Sequence, residues 1–108
     1  MAHYLLIESR DPFEVNDVAY FYDLAAGLKE RGNQVTLFLV QNGVLPARRN
    51  PTDHTLAKLA AAGVRVLADD LSLKERGIEG QSLVAGVSSA EIDLVIEHMA
   101  EGVKTLWH

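Results

Sequence analysis

Cysteine is absent from all 108 residues of this sequence. Disulfide bonds, thiolate metal sites and cysteine nucleophiles are therefore excluded, because each of them needs a thiol. An excess of basic charge is missing as well, since ten Lys and Arg stand against fifteen Asp and Glu, a net charge of −5. A nucleic-acid-binding surface is not expected, because neutralising phosphates needs clustered basic side chains. The local basic pair, Arg48-Arg49, is expected to lie in a solvated loop.

Long apolar segments are also lacking, since no run approaches the roughly 18 residues that a membrane-spanning helix needs. The first residues, Met1 to Glu8, lack the charged beginning and the long apolar core of a signal peptide. We therefore expect a cytoplasmic protein without a membrane partner. A chain of 108 residues with 48% hydrophobic composition is expected to form one domain, residues 1–108, around a single core.

The sequence also lacks the common nucleotide-binding and zinc motifs. No glycine precedes Gly27, so the first predicted strand-to-helix turn cannot hold a GxGxxG dinucleotide motif, and the chain has no GxxxxGKS or GxxxxGKT phosphate-binding loop. None of the histidines pairs with another at helical spacing to form a zinc motif. His54, in the first turn of a predicted helix, is the histidine whose position best suits a site. We expect no metal and no cofactor.

Apolar segments typical of strands alternate with segments of helical periodicity. Because helices between successive strands require crossover connections, this alternation predicts a parallel sheet with helices on both faces. The expected fold class is α/β, a three-layer α/β/α sandwich with a mostly parallel five-stranded sheet. Its strands are predicted at Tyr4 to Ile7, Val35 to Val40, Val64 to Ala68, Ser82 to Val87 and Val103 to Trp107.

Capping residues and glycines indicate where the helices begin and end. The first helix carries Val18 to Leu28 and stops at Gly32, and it begins either at the Asp11-Pro12 turn or after Asn16. An irregular loop is expected at Val44 to Pro51. The other helices are predicted from Thr52 or Asp53 to Gly63, from Leu71 to Arg76, and from the capping box Ser88-Ser89-Ala90-Glu91 to Gly102.

The first predicted helix has an apolar surface wider than one sheet face requires. Phe21, Leu24 and Leu28 are therefore candidates for an interface with another subunit. A thickly packed single core explains the same pattern equally well, and both interpretations stay open.

Two aspartates follow the third predicted strand, at the edge of the sheet where parallel α/β proteins bind ligands. Asp69 and Asp70, together with Ser72, have the chemistry of acid–base groups or of ligands for a hard cation. Adjacent side chains point in different directions, so a pair of carboxylates sharing one proton is not expected. We favour a structural role, in which one aspartate caps the following helix and the other faces solvent.

The chain as a whole resembles the DsrE/DsrF-like family of small sulfur-relay proteins. The resemblance lies in the order and spacing of three segments. The first strand leads through Asp11-Pro12 into an alanine-rich helix. The second strand and its turn read VTLFLVQNGV, residues 35 to 44, and the third segment reads GVRVLADDLSLKERGI, residues 63 to 78.

The resemblance implies a persulfide-bearing cysteine in the loop after the third strand. Counted back from Gly77, the family's cysteine positions fall on Asp69 and Ser72 of this chain. Neither side chain can hold a sulfane sulfur, because the persulfide mechanism needs a thiolate. No catalytic residue of the family therefore carries over, and sulfurtransferase chemistry by this chain is excluded.

Two functional interpretations follow. In the first, which we favour, the protein is a non-catalytic subunit that acts in assembly or regulation of a sulfur-relay complex. The resemblance then implies a homotrimer or homohexamer, and a cysteine-bearing homologue or other sulfur carrier as partner. In the second, the site has become a pocket for a small ligand or a metal, or supports a thiol-independent reaction. That pocket would be lined by Asp69, Asp70 and Ser72, with Arg10, Asn42 and His54 at its rim.

Overall fold

A parallel sheet forms the centre of the computed structural model, which describes residues 2–50 and 53–108. Within these residues the sheet has five strands in the order β4-β3-β2-β1-β5, so the predicted fold class is confirmed. The strands are β1 (His3–Glu8), β2 (Gln34–Leu39), β3 (Arg65–Asp69), β4 (Val87–Ala90) and β5 (Lys104–Trp107). The helices are α1 (Asp17–Glu30), α2 (Thr55–Ala61), α3 (Asp70–Glu75) and α4 (Asp93–Ala100).

The sheet is covered on both faces because its central strands alternate two sets of apolar side chains. Leu6 of β1 packs with Leu37 and Leu39 of β2 beneath α1 and α2. Leu5 and Phe38 belong to the opposite cluster, beneath α4. The structure therefore has the three predicted layers. No helix in the described ranges is long and apolar enough to cross a membrane.

The first helix begins at the later of its two predicted starts. Asp11 instead forms a turn, in which its Oδ1 accepts the Phe13 N–H at 3.1 Å. The Asn16 side chain makes no capping hydrogen bond to α1. At the other end, Gly32 adopts a φ of +88°, a left-handed conformation that glycine tolerates and that stops the helix.

Two sequence predictions near the fourth strand are wrong. The strand was expected at Ser82 to Val87, but β4 starts only at Val87, because Gly86 turns the chain with a φ of +84°. The segment before it pairs elsewhere: the Val84 N–H donates to the Ala47 carbonyl at 2.9 Å. The capping box is also absent, since Ser88-Ser89-Ala90 lies within β4 and α4 begins at Asp93 without a side-chain cap.

The segment after β2 is more regular than predicted. Gln41–Ala47 forms a 3₁₀ helix in which Val44 and Ala47 are buried, so the expected irregular loop is wrong over 44–47. Pro51 and Thr52 lie outside the described residues. Asp53, the other predicted cap of α2, accepts the Thr55 N–H at 3.0 Å, but the N-cap residue is His54, whose side chain makes no capping hydrogen bond.

The strand order creates a reversal between β1 and β5. From β1 the chain adds β2, β3 and β4 in one direction, and α4 then crosses the opposite face to place β5 on the other side of β1. The carboxyl ends of β1 and β5 are therefore neighbours at one end of the sheet.

Candidate functional site

Asp69 and Ser72 form a hydrogen-bonded pair where β3 ends and α3 begins. The Ser72 hydroxyl donates to Asp69 Oδ2 at 2.7 Å, and the Ser72 N–H donates to the same oxygen at 3.0 Å. Both residues are buried, whereas Asp70 is exposed. The capping interpretation is confirmed, because Asp69 is the N-cap of α3 and Asp70 faces solvent.

The turn after β2 is tied to this pair. The Gln41 N–H donates to Ser72 Oγ at 2.8 Å, and Gln41 itself has a φ of +51°, an uncommon conformation for a residue with a side chain. Arg76 donates from Nε and Nη2 to Asn42 Oδ1 at 3.2 and 3.0 Å, and from Nη1 to the Ser72 carbonyl at 3.1 Å. These bonds hold the two neighbouring strand ends together and occupy the Ser72 hydroxyl both as donor and as acceptor.

Asp70 takes no part in this hydrogen-bonded pair and instead lines an open cavity. The cavity has a volume of about 780 Å³ and lies between α3 and the chain that follows it. Its apolar lining comes from Leu73 and Ile78, and its polar lining from Asp70, Lys74, Glu79, Gln81 and Ser89. Asp69 and Ser72 do not line it. The cavity therefore offers charges of both signs and is separate from the Asp69–Ser72 pair.

The remaining predicted rim residues are separate from the Asp69–Ser72 pair. Arg10 is exposed, and its backbone N–H donates to Glu8 Oε2 at 3.1 Å. His54 is exposed and lines a different cavity of about 470 Å³ with residues such as Arg49 and Ala57. Among the described residues, no side-chain hydrogen bond or ion pair joins Arg10 or His54 to Asp69 or Ser72. Of the predicted rim, the structure brings only Asn42 to the pair.

Sequence reasoning missed a second cluster of polar side chains, at the carboxyl ends of β1 and β5. The Glu8 side chain is fully buried, and its Oε1 and Oε2 lie 2.8 and 3.0 Å from His108 Nδ1. The His108 backbone is held between the neighbouring chain segments, since its N–H donates to the Ile7 carbonyl at 2.8 Å. Phe21 stacks on the imidazole at a centroid distance of 5.3 Å. The one signal in the sequence was an acidic residue at the end of a mostly apolar strand.

Tyr22 adds an unsatisfied hydroxyl to the same side of the sheet. The residue is 5% exposed, and its hydroxyl has no hydrogen-bond partner among the described residues. Burial raises the pKa of the Tyr22 phenol, and the carboxylates of Glu8, Asp53 and Asp11 raise it further. The neutral phenol is therefore the form that the fold favours.

Two histidines meet at the opposite, amino-terminal edge of the sheet. The rings of His3 and His98 are 4.9 Å apart in an edge-to-face arrangement. His98 Nδ1 lies 2.9 Å from the Leu94 carbonyl, which can only accept, so Nδ1 carries a proton. Burial lowers the pKa of His3, the charges of His98 and Arg65 lower it further, and Glu101 raises it. No group of three potential metal-ligating side chains occurs among the described residues.

The predicted interface residues of α1 differ in exposure. Phe21 and Leu28 are half-buried and pack against the core, whereas Leu24 is 38% exposed. A larger set of exposed apolar side chains lies on or next to α4 and β5 than at Phe21, Leu24 and Leu28. That set comprises Ile92, Ile96, Met99, Leu106 and Trp107.

Several solved structures share this fold. The YchN protein of E. coli superposes with a TM-score of 0.89 at 21% identity, and both chains are covered completely. MTH1491 of Methanobacterium thermoautotrophicum, a protein of unknown function, has a TM-score of 0.87 at 18% identity, again over all of both chains. BT1422 of Bacteroides thetaiotaomicron, also of unknown function, has a TM-score of 0.77 at 17% identity over 97% of this chain and 94% of the other. These likenesses establish the fold.

No curated protein sequence is similar enough to this chain to count as a match. The sequence profile of the DsrE/DsrF-like family, in contrast, matches residues 2–107. That match spans the whole sheet and every helix described above. The protein therefore belongs to the DsrE/DsrF-like family.

Proposed function

We propose that this protein is a non-catalytic DsrE/DsrF-like subunit that acts in the assembly or regulation of a cytoplasmic sulfur-relay or sulfur-metabolism complex. Membership of the family suggests a role related to sulfur relay. The observation that carries the non-catalytic assignment is the hydrogen-bonded pair of Asp69 and Ser72 at the family's cysteine positions. With no cysteine in the sequence, the chain has no atom that can carry a sulfane sulfur.

The bonds around the pair support a structural role for this loop. The Ser72 hydroxyl donates a hydrogen bond to Asp69 and accepts one from the Gln41 N–H. Arg76 bonds to both the Ser72 carbonyl and Asn42, so it links Asn42 to the same turn. A loop that delivers sulfur needs an accessible and nucleophilic atom, whereas Ser72 is 5% exposed and beside a carboxylate. The arrangement preserves the shape of the strand ends without the reactive group.

The apolar surface of α4 and β5 supports a role in assembly. Ile96, Met99 and Trp107 are 63%, 57% and 67% exposed, and burying such side chains against a partner is favourable. We propose a homo-oligomer, a trimer or a hexamer, that uses this surface or the Phe21, Leu24 and Leu28 face of α1. A cysteine-bearing DsrE-like homologue or another sulfur carrier would supply the missing thiol.

Sedimentation velocity of matched variants tests the assembly role. Ile96→Glu on α4 and Leu24→Glu on α1 each place one negative charge at an exposed apolar position. Ala61→Glu, which places the same charge at an exposed position of α2, is the control. We expect an oligomer that persists in Ala61→Glu and dissociates in at least one of the other two. A wild-type protein that sediments as a monomer at every concentration would contradict the proposal.

The cavity beside Asp70 favours one alternative, a module that binds a small polar ligand or a metal, or that supports a thiol-independent reaction. Its lining includes the charges of Asp70, Lys74 and Glu79. Native mass spectrometry would then detect a reproducible extra mass on the wild-type protein that is lost in Asp70→Asn and Lys74→Gln and kept in Asp93→Asn, an exposed position on α4. An extra mass that survives both cavity variants would exclude this site.

A further inference from the structure

A small cavity lies at the amino-terminal edge of the sheet, opposite the edge that holds Asp69 and Ser72. The first residues of β1, β2 and β3 meet there, close to the last turn of α1 and the chain that follows α2. Its volume is about 200 Å³, below the roughly 300–1,000 Å³ of cavities that take drug-sized ligands. The cavity therefore suits a small ion or one group of a larger molecule. Its polar lining comes from His3, Lys29, Gln34, Thr36 and Arg65.

The lining of this cavity carries positive charge without an acidic counterpart. Lys29 and Arg65 are cationic at neutral pH, and none of the described residues that line the cavity is Asp or Glu. The chain as a whole has a net charge of −5, so the charge of this lining is opposite to that of the protein. Within residues 2–50 and 53–108, neither the Lys29 ammonium nor the Arg65 guanidinium forms an ion pair or a hydrogen bond. Two uncompensated positive charges therefore border the same small space.

The fold holds several of these side chains in place. Lys29 is half-buried, and a Cβ at residue 63 would come within 2.7 Å of its Cε, so the space that the Lys29 side chain crosses exists because residue 63 is glycine. Thr36 is 2% exposed, and its Oγ1 lies 3.3 Å from His3 Nε2. Arg65 is exposed and opens the cavity to solvent. The cavity thus combines positioned polar groups with access from outside.

We propose that this cavity binds a small tetrahedral oxyanion with two negative charges, either as a free ion or as the head group of a small molecule. The charge of the ligand follows from the lining, because a dianion balances both Lys29 and Arg65, whereas a monoanion leaves one of them uncompensated. Ammonium and guanidinium groups only donate hydrogen bonds, and bonds from them to anionic oxygens are among the stronger ones in proteins. Phosphate and sulfate share this chemistry. The site goes beyond the proposed function, since it lies away from Asp69 and does not depend on any oligomer.

His3 reports on the charge inside the cavity. Burial lowers the pKa of its imidazole, the charge of His98 lowers it further, Glu101 raises it, and Arg65 lowers it. His98 contacts the ring from α4, at a centroid distance of 4.9 Å. Glu101 lines a separate cavity of about 270 Å³ together with Lys104. An anion in the cavity counteracts the positive charges around His3, so binding raises the pKa of the ring.

Nuclear magnetic resonance of the histidine rings tests this site. In sodium sulfate, which keeps both charges throughout the titration, the pKa of His3 should be higher by at least about half a pH unit than in sodium chloride of equal ionic strength. His54, an exposed histidine that lines a different cavity, is the internal control and should not respond. An equal pKa of His3 in the two salts, or a response of His54 as large as that of His3, would overturn the proposal.

Titration of the His3 ring signals at pH 7.5 with different anions defines the ligand. Phosphate and sulfate should bind more tightly than acetate, a monoanion, and equal binding of acetate would contradict the charge argument. Methyl phosphate that binds as tightly as phosphate indicates a head group on a small molecule, whereas weaker binding indicates the free ion.

Variants separate a specific site from a general attraction of anions to basic residues. Arg65→Gln and Lys29→Gln should each raise the dissociation constant for phosphate at least about tenfold, because each removes one charged hydrogen-bond donor. Lys58→Gln, which removes the same charge from an exposed position of α2, is the control and should leave binding unchanged. Arg65 is exposed, so the comparison stands even if Lys29→Gln folds poorly. Equal weakening in Lys58→Gln and Arg65→Gln would show that the cavity has no special role.

Discussion

Ser72 donates its hydroxyl hydrogen to Asp69 across 2.7 Å at the point where β3 ends and α3 begins. The bond joins residues three apart, so it needs only the local turn at the start of α3. A short charge-assisted bond of this kind is among the stronger hydrogen bonds in proteins. The pair thus caps the start of α3.

The first prediction concerns the stability that this pair provides. Asp69→Ala should lower the free energy of unfolding by about 1–2 kcal/mol, because α3 loses its cap and the Ser72 hydroxyl loses its acceptor. Urea unfolding measures the difference. Asp70→Ala is the matched control, since Asp70 is exposed and a change of less than about 0.5 kcal/mol is expected. Equal effects of the two substitutions would refute the account of the pair.

The second prediction concerns a thiol reintroduced at either position. A cysteine in Asp69→Cys occupies the N-cap of α3, where the helix dipole favours the thiolate. A cysteine in Ser72→Cys lies beside the Asp69 carboxylate, which disfavours the thiolate. At pH 7.5 iodoacetamide should therefore alkylate Asp69→Cys faster than Ser72→Cys. Because both positions are similarly buried, faster alkylation of Ser72→Cys would show that the carboxylate does not control the site.

The third prediction concerns alkaline pH and Tyr22. Burial raises the phenol pKa in the folded state, so above about pH 10 the unfolded state loses its proton first and is favoured. The wild-type protein should lose stability as the pH rises past 10, and Tyr22→Phe should remove that part of the loss. At neutral pH the same substitution should be neutral or stabilising by about 1 kcal/mol, because it removes an unpaired buried hydroxyl. A large loss of stability at pH 7 would show that the hydroxyl has a partner.

The fourth prediction concerns mildly acidic pH and His3. Its pKa is lowered in the folded state, so between that value and about 6.5 the unfolded state binds more protons. Stability should therefore fall as the pH drops through 6.5, and the fall should be smaller in His3→Gln. Thermal unfolding between pH 7.5 and 5 measures the slope, with His54→Gln as the control on an exposed histidine. Parallel pH profiles for wild type and His3→Gln would contradict the assignment.

Local patterns allowed most of the fold to be predicted. The apolar run of β2 favours a strand, and the glycines after α1 and α2 stop those helices, through the conformation of a few neighbouring residues only. The structure has the strand and both helix ends where these local patterns predict them. The Asp69 cap was equally local. The fourth strand failed because Leu83 and Val84 are held by residues 47–49, more than thirty positions earlier in the chain. No periodicity within the segment records that pairing.

The second polar cluster was beyond sequence reasoning for the same reason. Glu8 and His108 are 100 residues apart, and they meet only because β5 lies beside β1. The alternation of strands and helices along the sequence does not determine the order of the strands in the sheet. The predicted rim failed to assemble around Asp69 on similar grounds, since Arg10 follows β1 and is exposed, whereas His54 lies at the start of α2 and lines a different cavity.

The most direct test of the central claim is native mass spectrometry of the untagged protein, purified gently from cells in which it occurs naturally. If this chain is an assembly subunit, the spectrum should contain a trimer or a hexamer, or a complex with a cysteine-bearing DsrE-like homologue. A protein recovered only as a bare monomer, at every concentration and without any companion, would contradict that account.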